Sequence, residues 1–143
     1  MFRKLLFLCV SFLVVESLFA DNIHAIVEIN GVTVNGGLVY VTVYSNENDY
    51  KNGTALASFI LEPTNTTLTY FIDLPEGEYA VSVFQDSNND GKLNTGLFGI
   101  PAEPAGITNY NLRGAPGNFN KLKTPVNKNS TRLIVNMGKV RML

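Results

Sequence analysis

The chain has one cysteine and one histidine in 143 residues, and each scarcity closes off chemistry. Cys9 falls inside an apolar run near the start, so nothing after residue 20 can form a disulfide, attack as a thiol or supply a thiolate to a metal. His24 is the only imidazole. A Ser-His-Asp triad or a zinc centre cannot be assembled around it without partners that the sequence does not supply, and its place on the polar side of an alternating segment makes it a surface residue. Charge of one sign is missing too. Beyond residue 20 there are nine basic and eleven acidic residues, which leaves no electrostatic footprint for nucleic acid or an anionic membrane.

Long apolar runs are equally scarce. The longest, Leu5 to Val15, follows Arg3 and Lys4 and is ended by Glu16, whereas a membrane-crossing helix needs about 20 apolar residues. With "ESLFA" and the small Ala20 after it, residues 1–20 read as a secretory signal peptide. Cys9 does not suit lipid attachment, because Phe7 and Leu8 stand where small residues are needed. Residues 21–143 then form a single exported domain, bound for the periplasm or the cell surface, with no membrane span after signal cleavage. Its size suffices to bury a core without covalent staples.

What remains is strand-like. Ile23, Ala25, Val27 and Ile29 alternate with His24, Glu28 and Asn30, the period of two that puts one set on each face of a strand; Ile26 breaks the alternation. Glycine turns at Asn30-Gly31 and Asn35-Gly36-Gly37 lead to "LVYVTVYS", Leu38 to Ser45, apolar enough for a central strand. "ALASFIL", Ala55 to Leu61, suits a strand or a short helix. "TLTYFID", Thr67 to Asp73, puts Leu68, Tyr70 and Ile72 on one face. "LPEGEYAVSVFQD" gives the clearest strand, with Tyr79, Val81 and Val83 alternating after a Pro-x-Gly turn. "TRLIVNM" closes the set, with Leu133, Val135 and Met137 on one side. No sustained helical period follows the leader, so the pattern predicts an all-β fold, an antiparallel β-sandwich.

Between Asp86 and about Asn118 no good strand appears, although structureless loops much beyond roughly 12 to 15 residues are uncommon in compact domains. Leu97, Phe98, Ile100, Ile107, Tyr110 and Leu112 are spaced there among glycines and prolines, the composition of an ordered excursion packed on the sandwich. "KTPVNKNS" after it reads as a solvent loop.

The run "GEYAVSVFQDSNNDGKLNTGLFGIPAEPAGITN" resembles the signature of a bacterial family known as domain of unknown function 2141. Matching positions are Gly77, Tyr79, Ala80 and Val81, then Asp86, Asn88, Asp90, Gly91, Lys92 and Leu93, then Gly99, Ile100, Pro101, Gly106, Thr108 and Asn109. The resemblance covers about a third of residues 21–143. It implies an exported sandwich of transthyretin-like or Ig-like type and no assigned activity. A histidine commonly precedes the loop's aspartate in that family, and Gln85 stands there, so any chemistry of that histidine is lost in this chain.

The polar loop in this run admits two readings. Counted from Asp86, it places Asp86, Asn88 and Asp90 at the first, third and fifth positions of a calcium-binding EF-hand loop, Gly91 at the sixth, the Lys92 carbonyl at the seventh and Asn94 at the ninth. Leu97 stands at the twelfth, where the bidentate glutamate belongs, so any Ca²⁺ would be held weakly, in the roughly 10⁻⁴ to 10⁻³ M range. Alternatively, the Asx side chains cap backbone donors in a turn in which Gly91 supplies a positive φ.

Other candidates carry less. Asp86, Asp90 and Glu103 are conceivable paired carboxylates for glycosidase chemistry. Tyr40, Tyr44, Tyr70, Tyr79 and Phe84 belong to the core or to sheet faces, where exposed members could form a platform. The Asn-x-Ser/Thr triplets at Asn52, Asn65 and Asn129 read as loop residues. The expectation is a non-enzymatic binding or structural module of the cell envelope, with an envelope or extracellular partner that the residues do not identify. The alternative is a carbohydrate- or peptide-binding protein that uses a cleft beside the long loop.

Overall fold

The computed structural model describes residues 21–142; the signal-peptide reading of residues 1–20 lies outside the described residues. Eight strands form two packed sheets: β1 (Ile23–Asn30), β2 (Val39–Tyr44), β3 (Ala57–Leu61), β4 (Thr67–Leu74), β5 (Gly77–Gln85), β6 (Ala105–Ile107), β7 (Thr124–Val126) and β8 (Arg132–Asn136). One sheet has the order β4-β1-β8, the other β3-β2-β5-β6, with β7 also paired to β5. β6 pairs with Ser82–Phe84 and β7 with Gly77–Tyr79, and the middle of the excursion bulges out between them. Every pair is antiparallel except β1 with β8, where Ile26–Asn30 run alongside Arg132–Asn136 in the same direction. The all-β sandwich is therefore as expected, with one parallel ladder added.

Alternation decides which side chains face inward. Ala25, Val27 and Ile29 of β1, Val39, Val41 and Val43 of β2, Val81 and Val83 of β5, and Leu133 and Val135 of β8 are buried between the sheets. β2, the apolar segment, is flanked on both sides by β3 and β5. The segment that suited helix or strand forms β3, and its Phe59 stacks on Tyr70 of β4 to close that side of the sandwich.

The stretch "KTPVNKNS" is not all solvent loop. Thr124–Val126 form β7, and Val126 is fully buried in the core. Its proline is tolerated because the strand is short and peripheral, where a missing N–H costs no central ladder bond. Two short helices escaped the pattern. α1 (Glu47–Asn52) is capped by the Asn46 side chain, which accepts from Asp49 N–H, and ends at Gly53 in the left-handed region. α2 (Phe119–Leu122) is capped likewise by Asn118. At six and four residues they are too short to show a helical repeat.

Within residues 86–123 the chain adds β6 to the edge of the five-stranded sheet and then lays α2 against that sheet's outer face. Phe119 and Leu122 of α2 pack on Ala80 of β5, with Tyr44, Tyr50, Ile107 and Tyr110 around them. The excursion is thus ordered by a second apolar cluster. At the corner where the sheets meet, Ala105 and Gly138 exchange backbone hydrogen bonds of 2.9 and 3.1 Å. Gly106 is required there, since a Cβ would lie 2.5 Å from the Asn136 carbonyl oxygen.

Candidate functional site

β5 ends at Gln85, and the polar loop begins with a buried carboxylate. Asp86 is 1% exposed; its Oδ1 accepts from Asp90 N–H (3.2 Å) and its Oδ2 from Gly91 N–H (2.8 Å). Gly91 has φ +76°, the left-handed conformation that this closure needs. Asp90 accepts from Lys92 N–H through Oδ1 (3.0 Å) and from the Asn88 and Asn94 amides through Oδ2 (3.2 and 2.9 Å). These donors, the Asn94 amide foremost, hold the Asp90 carboxyl below the usual aspartate range. Asn88 Oδ1 accepts from Asp90 N–H at 3.3 Å.

Asp86, Asn88, Asp90 and Asn94 thus share one network, to which Lys92 contributes its N–H. As arranged, their oxygens face N–H donors, which is the geometry of a capped turn. A cation would have to displace those donors. Among the described residues no three His, Cys, Asp or Glu side chains are grouped as a metal centre, and Leu97, at the twelfth position, is exposed.

Glu103 closes the loop from across. Buried at 6% exposure, it accepts from Ser87 N–H through Oε1 (2.8 Å) and from Asn94 N–H through Oε2 (3.1 Å). One carboxylate therefore ties both ends of an eight-residue arc. Asp86, Asp90 and Glu103 are committed to backbone or amide donors, so the structure does not arrange them as two carboxylates facing a scissile bond. His24 lies on the outer face of β1, exposed and paired with Asp73; among the described residues no other acid joins that pair.

Farther along, Thr108 is fully buried. Its hydroxyl donates to the Leu122 carbonyl (2.7 Å) and accepts from Val81 N–H (3.2 Å), while the Asn109 amide reaches the Leu122 and Lys123 carbonyls. These side chains pin α2 to β5. Between this anchor and the polar loop the sheet face is open, and there a cleft of about 460 Å³ is found. Ser82, Ala105 and Ile107 form its floor; Phe98, Ala115 and Met142 belong to its walls. The Tyr110 hydroxyl donates to the Gly114 carbonyl at 2.6 Å, so this polar group is internally satisfied; burial raises its pKa above the ordinary tyrosine value.

Beyond Leu93, which borders both hollows, a shallower one of about 350 Å³ lies over Tyr40 and Phe84, which stack at 4.9 Å across β2 and β5. Phe98, in the lining of the larger cleft, and Leu97, its neighbour in the chain, are 87% and 83% exposed. Phe98 also has φ +61°, an unusual conformation for a bulky side chain.

Residues 27–134 match the family model of DUF2141, described as an uncharacterized protein conserved in bacteria. The chain belongs to the DUF2141 family. No curated protein and no solved structure matches it. The DUF2141 span takes in the polar loop, Glu103, Thr108 and Asn109, but ends before the Val140–Met142 segment that completes the cleft. In this DUF2141 chain Gln85 is fully buried and staples the preceding turn: Nε2 donates to the Thr33 and Gly37 carbonyls (2.7 and 2.9 Å), and Oε1 accepts from Thr33 N–H (2.9 Å). Sequence reading missed this role and that of Glu103 as a clamp. A polar residue at an inward position of β5 was the available signal for the first. For the second, nothing local pairs Glu103 with amides nine and sixteen residues away. Among the described residues no helix is long and apolar enough to cross a membrane.

Proposed function

We propose that this DUF2141 protein is an exported, non-enzymatic binding module of the bacterial cell envelope whose ligand occupies the cleft on the outer face of the five-stranded sheet. The cleft itself carries this reading: at about 460 Å³ it falls in the roughly 300 to 1,000 Å³ range of small-molecule sites, and its walls are mostly apolar. Exposed Leu97 and Phe98 beside it add apolar surface that a ligand would cover. The polar loop then serves as a rigid rim, fixed by Asp86 and Glu103, and the excursion supplies the walls.

A non-enzymatic role is supported by the employment of the polar groups. The carboxylates cap backbone donors, the Tyr110 hydroxyl is engaged by the Gly114 carbonyl, and His24 lies on the other sheet. The lining suits an apolar ligand better than a sugar, which asks for many hydrogen-bonding side chains around an aromatic face. The test is titration with the neutral fluorophore N-phenyl-1-naphthylamine. One saturable site is expected in the parent, and its loss in Ala115→Trp, which fills the cleft from an exposed wall position. Undiminished binding in that variant would place the probe elsewhere and refute the reading.

A second reading, weak Ca²⁺ binding at the loop, is favoured by the convergence of Asn88, Asp90 and Asn94 side chains within 2.9 to 3.3 Å of one another. Rotation of the two amides would turn oxygens where nitrogens now point. A melting temperature raised by millimolar Ca²⁺ in the parent but not in Asp90→Ala is the expected result; identical melts with and without the ion count against it.

A further inference from the structure

We infer that the cleft takes a medium-chain fatty-acid anion, its acyl chain along the sheet face and its carboxylate at Arg141; this rests on the cleft being a ligand site at all. Two observations lead there independently of the cleft's size. The first is the character of the lining. Leu93, Phe98, Ile100, Ile107 and Met142 present aliphatic and aromatic surface, and the one aromatic hydroxyl among the lining residues is satisfied by Gly114. A flexible hydrocarbon makes no demand for hydrogen bonds within, whereas a sugar or a peptide backbone would strand its polar groups there.

The second observation is charge. Arg141 is the charged residue in the lining, and it does not stand alone. Residues 113 and 141 form an isolated parallel bridge, fixed by Arg141 N–H to the Leu112 carbonyl (2.9 Å) and Gly114 N–H to the Arg141 carbonyl (2.8 Å). The backbone therefore seats two guanidinium-bearing residues side by side. Among the described residues neither has a carboxylate within ion-pair distance. Like charges placed opposite one another are destabilising, and the two arginines are exposed on an otherwise apolar rim. A carboxylate at that end of the cleft would accept from Arg141, the arginine in the lining, in the bidentate manner that guanidinium favours, with Arg113 beside it outside the lining adding a second positive charge. The site thus offers an apolar trough that ends at a cationic clasp.

The experiment displaces N-phenyl-1-naphthylamine from the full chain with laurate, dodecanol or dodecyltrimethylammonium, each below its micellar concentration, and follows laurate by calorimetry in parallel. Laurate is expected to bind one to one and at least tenfold more tightly than dodecanol, with the ammonium weakest. Arg141→Gln should weaken laurate about tenfold, the size of one charge-assisted hydrogen bond at a partly exposed site, and leave dodecanol unchanged. Because Arg141 is exposed, the variant folds, and Arg113→Gln gives a second arm with the same sign.

Equal affinity for laurate and dodecanol, or laurate binding indifferent to both arginine variants, overturns the fatty-acid reading while the cleft reading stands. Failure of the naphthylamine to bind, with no laurate heat, removes both. Displacement by phosphatidylglycerol vesicles but not by monomeric laurate also overturns the proposal, and assigns the patch to a lipid surface.

Discussion

Glu103 ties the two ends of the polar loop, and its replacement separates hydrogen bonding from mere space-filling. The carboxylate accepts from Ser87 and Asn94 N–H through different oxygens. In Glu103→Ala both donors lose their acceptor. Ser87 is exposed and Asn94 half-buried, so water replaces part of what is lost, and about 1 kcal/mol per bond is the appropriate end of the range. The sum is about 2 kcal/mol.

Glu103→Gln keeps the volume but offers one acceptor and an NH₂ group. One backbone N–H must then face another donor in a buried position, so this conservative change should cost about as much as the truncation. For a domain of this size 2 kcal/mol lowers the melting temperature by about 8 °C and raises amide exchange at Ser87 and Asn94 by roughly thirtyfold. Thermal melts and hydrogen exchange of the two variants against the parent provide the assay. If Glu103→Gln melts within a degree of the parent while Glu103→Ala does not, space-filling holds the loop and the two-acceptor argument is wrong.

Two further outcomes are expected from the same region. Asn94→Ala removes the main donor to the Asp90 carboxylate, so the Asp90 pKa, now depressed, should rise toward the ordinary aspartate value; a carboxyl-carbon NMR titration reads it directly. Since the folded-state pKa is the lower one, the stability that Asp90 contributes is present above about pH 4 and lost as pH falls through the depressed value. In Asn94→Ala the folded and unfolded values draw together, so the variant should be less stable than the parent above about pH 4 and the difference should shrink as pH falls; a stability difference that does not change with pH would deny Asn94 the role. Gly106→Ala places a methyl 2.5 Å from the Asn136 carbonyl oxygen and should cost about 1 to 3 kcal/mol, seen as a lower urea midpoint. An unchanged midpoint would mean that the β6–β8 corner yields easily.

Much of the fold was legible because the strands bury one face, and a period of two records that choice in the residues. β1, β4, β5 and β8 were visible for this reason, and β2 through its nearly unbroken apolar, β-branched composition. β6 and β7 were not, because three residues are too few to show a period, and Pro125 argued against a strand that is tolerated only at the sheet's margin. The parallel partnership of β1 with β8 leaves no local trace, since nothing in Ile26–Asn30 names a partner about a hundred residues away. At the loop, the spacing of Asp86, Asn88, Asp90 and Asn94 announced a convergent cluster, and the structure brings them together. It could not announce what they converge on, because oxygens that would face a cation and oxygens that face N–H groups require the same residues. The cleft was foreseen only as a possibility beside the excursion. Its walls come from three separate segments, and the arginine pair depends on a bridge formed after the last strand.

The placement of β1 between β4 and β8 bears on how the domain is made. Among the described strands β1 is made before all the others, yet one of its flanks stays bare until residue 136 has been synthesised, because the strand that covers it, β8, is the last of them. During that interval a ribbon with one apolar face offers unpaired amides and carbonyls to any neighbour. The same vacancy would let a strand lent by another polypeptide stand in for Arg132–Asn136.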